Sequence, residues 1–285
     1  MEQSISPLIN PDELMLLNQK QALVIIDART GPDAKANYTV QHLKGAMLVD
    51  LDTELADVKA DASNGGRHPL PEPAKFSAVL TRLGISPASH VIVYDDKNAS
   101  NAAARFWWML LSAGHKKVQV INGGFSAAVS AGFPTSSQTE HAAQSEPYGP
   151  ISWQLPLSNL KEVEIAAEDG DSVVIDVRDK ERFDGINEPI DLVAGHIPGA
   201  INIPFSGNLD SNGFFLSPEK LRELYAPALQ DKNSKNTIVH CGSGVTACHT
   251  ILAMAYAGLP IPKLYVGSWS EWSRCNKPIA TTAKT

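Results

Sequence analysis

The amino-acid sequence predicts an α/β chain made of two copies of one domain, each a mainly parallel sheet flanked by helices. Three observations carry that prediction. Residues 23–52, "LVIIDARTGPDAKANYTVQHLKGAMLVDLD", recur in pattern at 173–205, "VVIDVRDKERFDGINEPIDLVAGHIPGAINIPF". Both run from a β-branched stretch through Asp-x-Arg and an irregular segment to His-x-x-Gly-Ala and a second apolar stretch. "HVIVYDDKNASNAAARFWWMLLSAG" from 90 then aligns with "TIVHCGSGVTACHTILAMAYAG" from 237, and "VQVINGGFSAAVSAGFP" from 118 with "LYVGSWSEWSRCNKP" from 264. Copies of about 130 residues are too long for a solenoid unit, so a whole domain is duplicated. Last, short apolar runs alternate with helical patterns, as buried parallel strands joined by helices do.

In chain order, "LVIIDA", "VIVYD", "VVIDV" and "TIVHC" read as strands, and "PAKFSAVLTRLG" and "SPEKLRELYAPAL" as helices. Ser217, Pro218 and Glu219 have the chemistry of an N-cap, a first helical position and a first-turn acid. Gly84 and Gly114 read as helix C-terminal glycines. Residues 135–150, "TSSQTEHAAQSEPYGP", are polar and without periodicity, as a boundary is. The expected domains are 1–136 and 151–285, with a linker at 137–150.

The chain has 285 residues, 43% hydrophobic and 19% charged, enough apolar material for two cores. Its net charge of −7 argues against nucleic acid as a partner. No run approaches the length of a membrane span, and the first residues lack a basic, then apolar, leader pattern. The three cysteines (Cys241, Cys248 and Cys275) show no paired spacing, which disfavours disulfides and a zinc site. No metal or organic cofactor is implied, and a reducing cytoplasm is the expected setting.

Chemistry in a parallel sheet sits beyond the carboxyl ends of strands. Cys241 leaves the strand "TIVH" at such an end, and Gly242, Ser243, Gly244, Val245 and Thr246 lead into the helical pattern "ACHTILAMAYAG". The glycines permit a tight turn whose N–H groups converge as an anion nest, and the helix N-terminus adds partial positive charge. A thiol there is expected to ionise readily. The amides of Gly242, Gly244, Val245 and Thr246 are then placed to hold a terminal sulfur carried on it. Cys248 lies one turn inside the helix, without a nest of its own, and reads as packing. A phosphatase loop of this kind requires an arginine six residues after the cysteine, where this chain has Ala247.

These residues, with "AGHIPGAINIPF", "GSWSEWS", "NKPIAT" and "INGGF", resemble the rhodanese superfamily, and within it the two-domain sulfurtransferases, over nearly the whole chain. The resemblance implies two rhodanese-like domains, of which only the second is catalytic. Asp95 stands where the first copy would hold the cysteine, followed by a loop two residues longer. It also implies that Cys241 takes sulfur from a small-molecule donor as a persulfide and passes it to cyanide, a small thiol or a thioredoxin-like acceptor. The loop "CGSGVTA" is similar to that of mercaptopyruvate enzymes, whereas thiosulfate enzymes place charged residues after the cysteine. By the same matching, Arg182 binds the donor's carboxylate, and His68 and Asp52 join Ser243 in a triad-like relay. The chain departs from the mercaptopyruvate pattern at Asp191, where a second arginine is typical, so thiosulfate is the alternative donor. A non-catalytic sulfur-binding module is the alternative outside catalysis.

Other prominent residues read as architecture. Asp27, Arg29 and His42 recur as Asp176, Arg178 and His196, and a set present in both copies points to folding. Trp107, Trp108, Trp269 and Trp272 read as core, the last two also as lining of the site's mouth.

Overall fold

The computed structural model describes residues 5–229 and 236–282. The chain forms two compact units. The first comprises Met1–Ala56, Pro71–Gln154 and Ser211–Phe214, and the second Asp57–Leu70, Leu155–Asp210 and Phe215–Thr285. Residues 57–70, from the first half of the sequence, thus belong to the second unit.

In the first unit the elements run β1 (Leu8–Ile9), α1 (Pro11–Lys20), β2 (Val24–Asp27), α2 (Ala34–Val40), β3 (His42–Leu43), β4 (Ala46–Leu48) and α3 (Leu51–Glu54). They continue as α4 (Pro73–Arg82), β5 (Val91–Tyr94), α5 (Ala102–Ser112), β6 (Val118–Ile121), α6 (Gly124–Ser130) and β7 (Thr135–Ser136). The sheet order is β1-β6-β5-β2-β4, with every pair parallel. A small antiparallel pair, β3 with β7, matches His42 to Ser136.

The second unit repeats this plan. It holds β8 (Leu157–Ser158), α7 (Leu160–Ala166), β9 (Val173–Asp176), α8 (Lys180–Asp184), β10 (Ile201–Asn202) and a 3₁₀ turn at Phe205–Asn208. It then holds α9 (Pro218–Leu229), β11 (Thr237–His240), α10 (Ala247–Tyr256), β12 (Lys263–Tyr265) and α11 (Ser268–Trp272). Its sheet, β10-β9-β11-β12-β8, is parallel throughout and copies the first sheet strand for strand. The central strands β5 and β11 are fully buried, which is why their sequences are continuous apolar runs rather than alternating ones. None of the described helices is long and apolar enough to cross a membrane.

The recurring polar set is architectural, as expected. Arg29 donates through Nε and Nη2 to Asp27 and through Nη2 to Gln41 O at 2.8 Å. Arg178 repeats this with Asp176 and with Gly195 O at 2.6 Å. These buried pairs fasten the loop after one strand to the segment leading to the next, and each guanidinium lies over an aromatic ring, Phe125 at 4.7 Å and Trp269 at 4.5 Å. His42 and His196 stack on Tyr38 and Phe183.

Two expectations change. Trp269 and Trp272 are 0% and 1% exposed and belong to the core of the second unit, not to an open mouth. The two extra residues of the first copy are also shared out. Helix α5 starts seven residues after Asp95 and is 11 residues long, while α10 starts six after Cys241 and is 10 long.

Candidate active site

Cys241 sits at the carboxyl end of the central strand β11, and the loop 242–246 turns from it into α10. Gly244 makes that turn possible. Its φ is +75°, and a Cβ there would lie 2.5 Å from the carbonyl oxygen of Val266, so any side chain is both strained and obstructed. Helix α10 is buried along Ala247–Met254, a central helix whose position is set by apolar packing.

The start of α11 pins the loop from its other side. Cys241 N donates to Ser268 Oγ (3.2 Å), Trp269 N donates to Cys241 O (3.0 Å) and Ser270 N to Gly242 O (2.9 Å). Among the described residues, the amides of Gly242, Ser243 and Val245 donate to no protein acceptor. Cys241 is 3% exposed.

The same helix holds the segment that carries His68. Gly65 N donates to Glu271 Oε1 (2.9 Å) and Arg67 N to Ser270 Oγ (3.0 Å). His68 Nδ1 then lies 2.8 Å from Ser243 Oγ, a hydrogen bond two residues from the thiol. The structure therefore brings together Cys241, Ser243 and His68 of the predicted set, with the loop residues Gly242, Gly244, Val245 and Thr246. Asp52 is an exposed residue of α3, in the first unit. Its neighbour Asp50 caps that helix, accepting from Thr53 N at 2.8 Å.

Arg182, on α8, reaches the same loop with company that sequence patterns did not reveal. A Cβ built on Gly242 would lie 2.9 Å from Arg67 Nη2, 3.4 Å from Arg182 Nη2 and 3.6 Å from Asp191 Oδ2. Asp191 has a fully buried side chain and receives three guanidiniums. Arg67 donates to it through Nε (3.1 Å) and Nη2 (3.4 Å), Arg182 through Nη2 (3.3 Å) and Arg274 through Nη1 (3.1 Å). Glu188 holds Arg182 by Nε (3.0 and 3.1 Å) and also accepts from Arg178 Nη1 (3.2 Å). Burial opposes charge on Glu188, but the hydrogen bonds from Arg182 and the Asp191 amide outweigh it and hold the carboxyl below its ordinary range. Asp191 is thus the hub of an arginine cluster beside the thiol. Arg67, Glu188 and Arg274 were missed from sequence; the available signal was that Arg67 adjoins His68.

The other two cysteines have duller surroundings. Cys248 is buried, its thiol donating to Gly244 O at 3.4 Å, in keeping with a packing role. Cys275 faces Ser63 O at 3.4 Å, and burial pushes its thiol up, away from reactivity.

Known proteins match the chain over most of its length. The rhodanese-like domain family matches residues 10–131 and again 159–275. The chain belongs to the rhodanese-like family. It is 36% identical to the 3-mercaptopyruvate sulfurtransferase of Mus musculus over 263 residues, 88% of this chain and 85% of that protein. It is 35% identical to the thiosulfate sulfurtransferase of Gallus gallus over 258 residues, 88% of this chain and 86% of that one. The crystal structure of SseA from Escherichia coli, described among 3-mercaptopyruvate sulfotransferases, superimposes with a TM-score of 0.78 at 30% identity. That match covers 94% of this chain and all of SseA. Sulfur transfer is the activity that this rhodanese-like membership carries.

Proposed function

We propose that the chain takes sulfur from 3-mercaptopyruvate onto Cys241 and delivers it from there to cyanide or a thiol. The observation that carries this reading is the juxtaposition at one loop of Cys241, the Ser243–His68 hydrogen bond and the guanidiniums over Gly242. A hydroxyl in the loop suits a neutral mercapto group, and guanidiniums beside it suit the carboxylate at the donor's other end.

In the first half-reaction the Cys241 thiolate attacks the donor sulfur. The new S–S bond forms as the carbon–sulfur bond breaks, and its electron pair leaves on carbon as the enolate of pyruvate, which takes up one proton. Cys241 is left as a persulfide. Ser243, hydrogen-bonded to His68, is placed to pass a proton toward that departing fragment. In the second half-reaction the acceptor attacks the outer sulfur: cyanide leaves as thiocyanate and the thiolate is restored. This is covalent catalysis with ping-pong kinetics, in which the cysteine itself carries the group. The amides of Gly242, Ser243 and Val245, which donate to no protein acceptor among the described residues, offer the persulfide hydrogen bonds as it forms. A reducing cytoplasm is part of this reading and keeps the three unpaired cysteines as thiols.

Steady-state kinetics with cyanide as acceptor test the donor. A higher kcat/KM for 3-mercaptopyruvate than for thiosulfate is expected, and the reverse order would replace this donor by thiosulfate. Turnover of neither, with no mass gain of about 32 Da (one sulfur) on the protein, would leave a non-catalytic module.

A further inference from the structure

The cluster around Asp191 carries more than a single carboxylate-binding arginine. Arg67 and Arg182 come from distant parts of the sequence, yet both present Nη2 over Gly242, the residue next to the nucleophile. Asp191 engages the Nε and Nη2 edge of Arg67 and the Nη2 of Arg182, and Glu188 engages the Nε side of Arg182. Among the described residues, Nη1 of Arg67 and Nη1 of Arg182 have no acceptor. Two planar guanidiniums are therefore fixed beside Gly242 by the carboxylates, each with its Nη1 to spare. The charges leave room for an anion: Arg67, Arg178, Arg182 and Arg274 face Asp176, Asp191 and Glu188, one positive charge in excess. Asp191 cannot itself bind an anion, but with 0% of its side chain exposed it is spent on the guanidiniums it holds.

We propose that Arg67 is the second guanidinium of the donor's carboxylate site, paired with Arg182, and that Asp191 and Glu188 are the positioning carboxylates that aim the two. This rests on the donor reading above and deepens it: the preferred donors are short acids whose sulfur lies within a few bonds of a carboxylate. Asp191, which from sequence counts against such a donor, becomes the residue that brings Arg67 to it. A carboxylate clamped between two forks gains orientation as well as affinity.

The test uses the full chain and two probes of Cys241, iodoacetate and iodoacetamide, which differ in a carboxylate against a neutral amide. Alkylation at Cys241 is followed by mass spectrometry for wild type, Arg67→Met and Arg67→Lys. Their rate ratio cancels any change in thiolate fraction. The iodoacetate-to-iodoacetamide ratio should fall about 10- to 100-fold in Arg67→Met, the worth of a charged hydrogen bond or two, and recover in part in Arg67→Lys. KM for 3-mercaptopyruvate should rise by a similar factor, with kcat changing far less. An unchanged ratio in Arg67→Met overturns the assignment, as does an unchanged KM. If the wild type does not turn over 3-mercaptopyruvate while the ratio still depends on Arg67, the donor reading fails and the carboxylate site stands.

Discussion

The two copies of the strand-to-helix loop differ at one residue, Asp95 against Cys241, in a way that decides what becomes of the loop's amides. In the first unit Asp95 ends the central strand, and its own carboxylate collects the loop's amides. Lys97 N and Ala99 N donate to Oδ1 at 2.9 and 2.8 Å, and Asn101 N and Ala103 N to Oδ2 at 3.2 Å each. In the second unit Cys241 ends the equivalent strand, and the amides of Gly242, Ser243 and Val245 find no protein acceptor among the described residues. The frame around both is the same: Phe125 N donates to Asp95 O at 2.9 Å as Trp269 N does to Cys241 O at 3.0 Å. One nest is filled from within by a side-chain carboxyl; the other keeps its donors open. A carboxyl at this position takes up the donors that a thiolate or persulfide would use.

That comparison can be broken at its active side first. Cys241→Ser should lower turnover by more than about 1,000-fold while leaving the thermal midpoint nearly unchanged, because a hydroxyl is far less ionised and forms no persulfide. Retained sulfur transfer in that variant would remove Cys241 from the mechanism. A smaller effect is expected from His68→Ala, which unmakes the hydrogen bond to Ser243: kcat should fall about 100-fold, the low end of what one general acid–base group contributes, with persulfide still formed. If His68→Ala turns over like the wild type, the Ser243–His68 pair is structural.

The first unit supplies the third, through stability rather than rate. Burial raises the Asp95 carboxyl from its ordinary 3.8 to about 6, although the amides of Lys97, Ala99 and Ala103 pull it down. The native state therefore binds more protons than the unfolded one between those values. The stabilisation is complete below about pH 4 and is lost as pH rises through about 6. Relative to Asp95→Asn, the wild type should lose on the order of 2 to 3 kcal/mol between pH 4 and pH 8, read from urea denaturation at a series of pH values. A pH-independent difference would mean that the amides repay the whole cost of burying the charge.

Much of this was legible in the sequence because it is local or repeated. Apolar runs mark the strands, the small residues after Cys241 mark the turn, and aligning the halves exposes Asp95 against Cys241. The arginine cluster left no such trace. Arg67 meets Asp191 across 124 residues and His68 meets Ser243 across 175, and contacts that distant impose neither spacing nor periodicity on the chain. His68 was found only through its likeness to a family position; Arg67, beside it, has no such likeness to announce it. Glu188 and Arg274 are individually ordinary charged residues, and their meaning comes from what the fold sets around Asp191.

The near-complete burial of Cys241 has a consequence for how cargo is handed over. In the proposed reaction the carrier's own sulfur would stay behind protein, with the transferable atom one bond further toward the acceptor. An incoming nucleophile meets the outer sulfur before it can touch the inner one. Shielding of the inner atom steers attack away from it, where reaction would release hydrosulfide and leave the enzyme joined to its acceptor. The depth of one side chain thus favours delivery over capture.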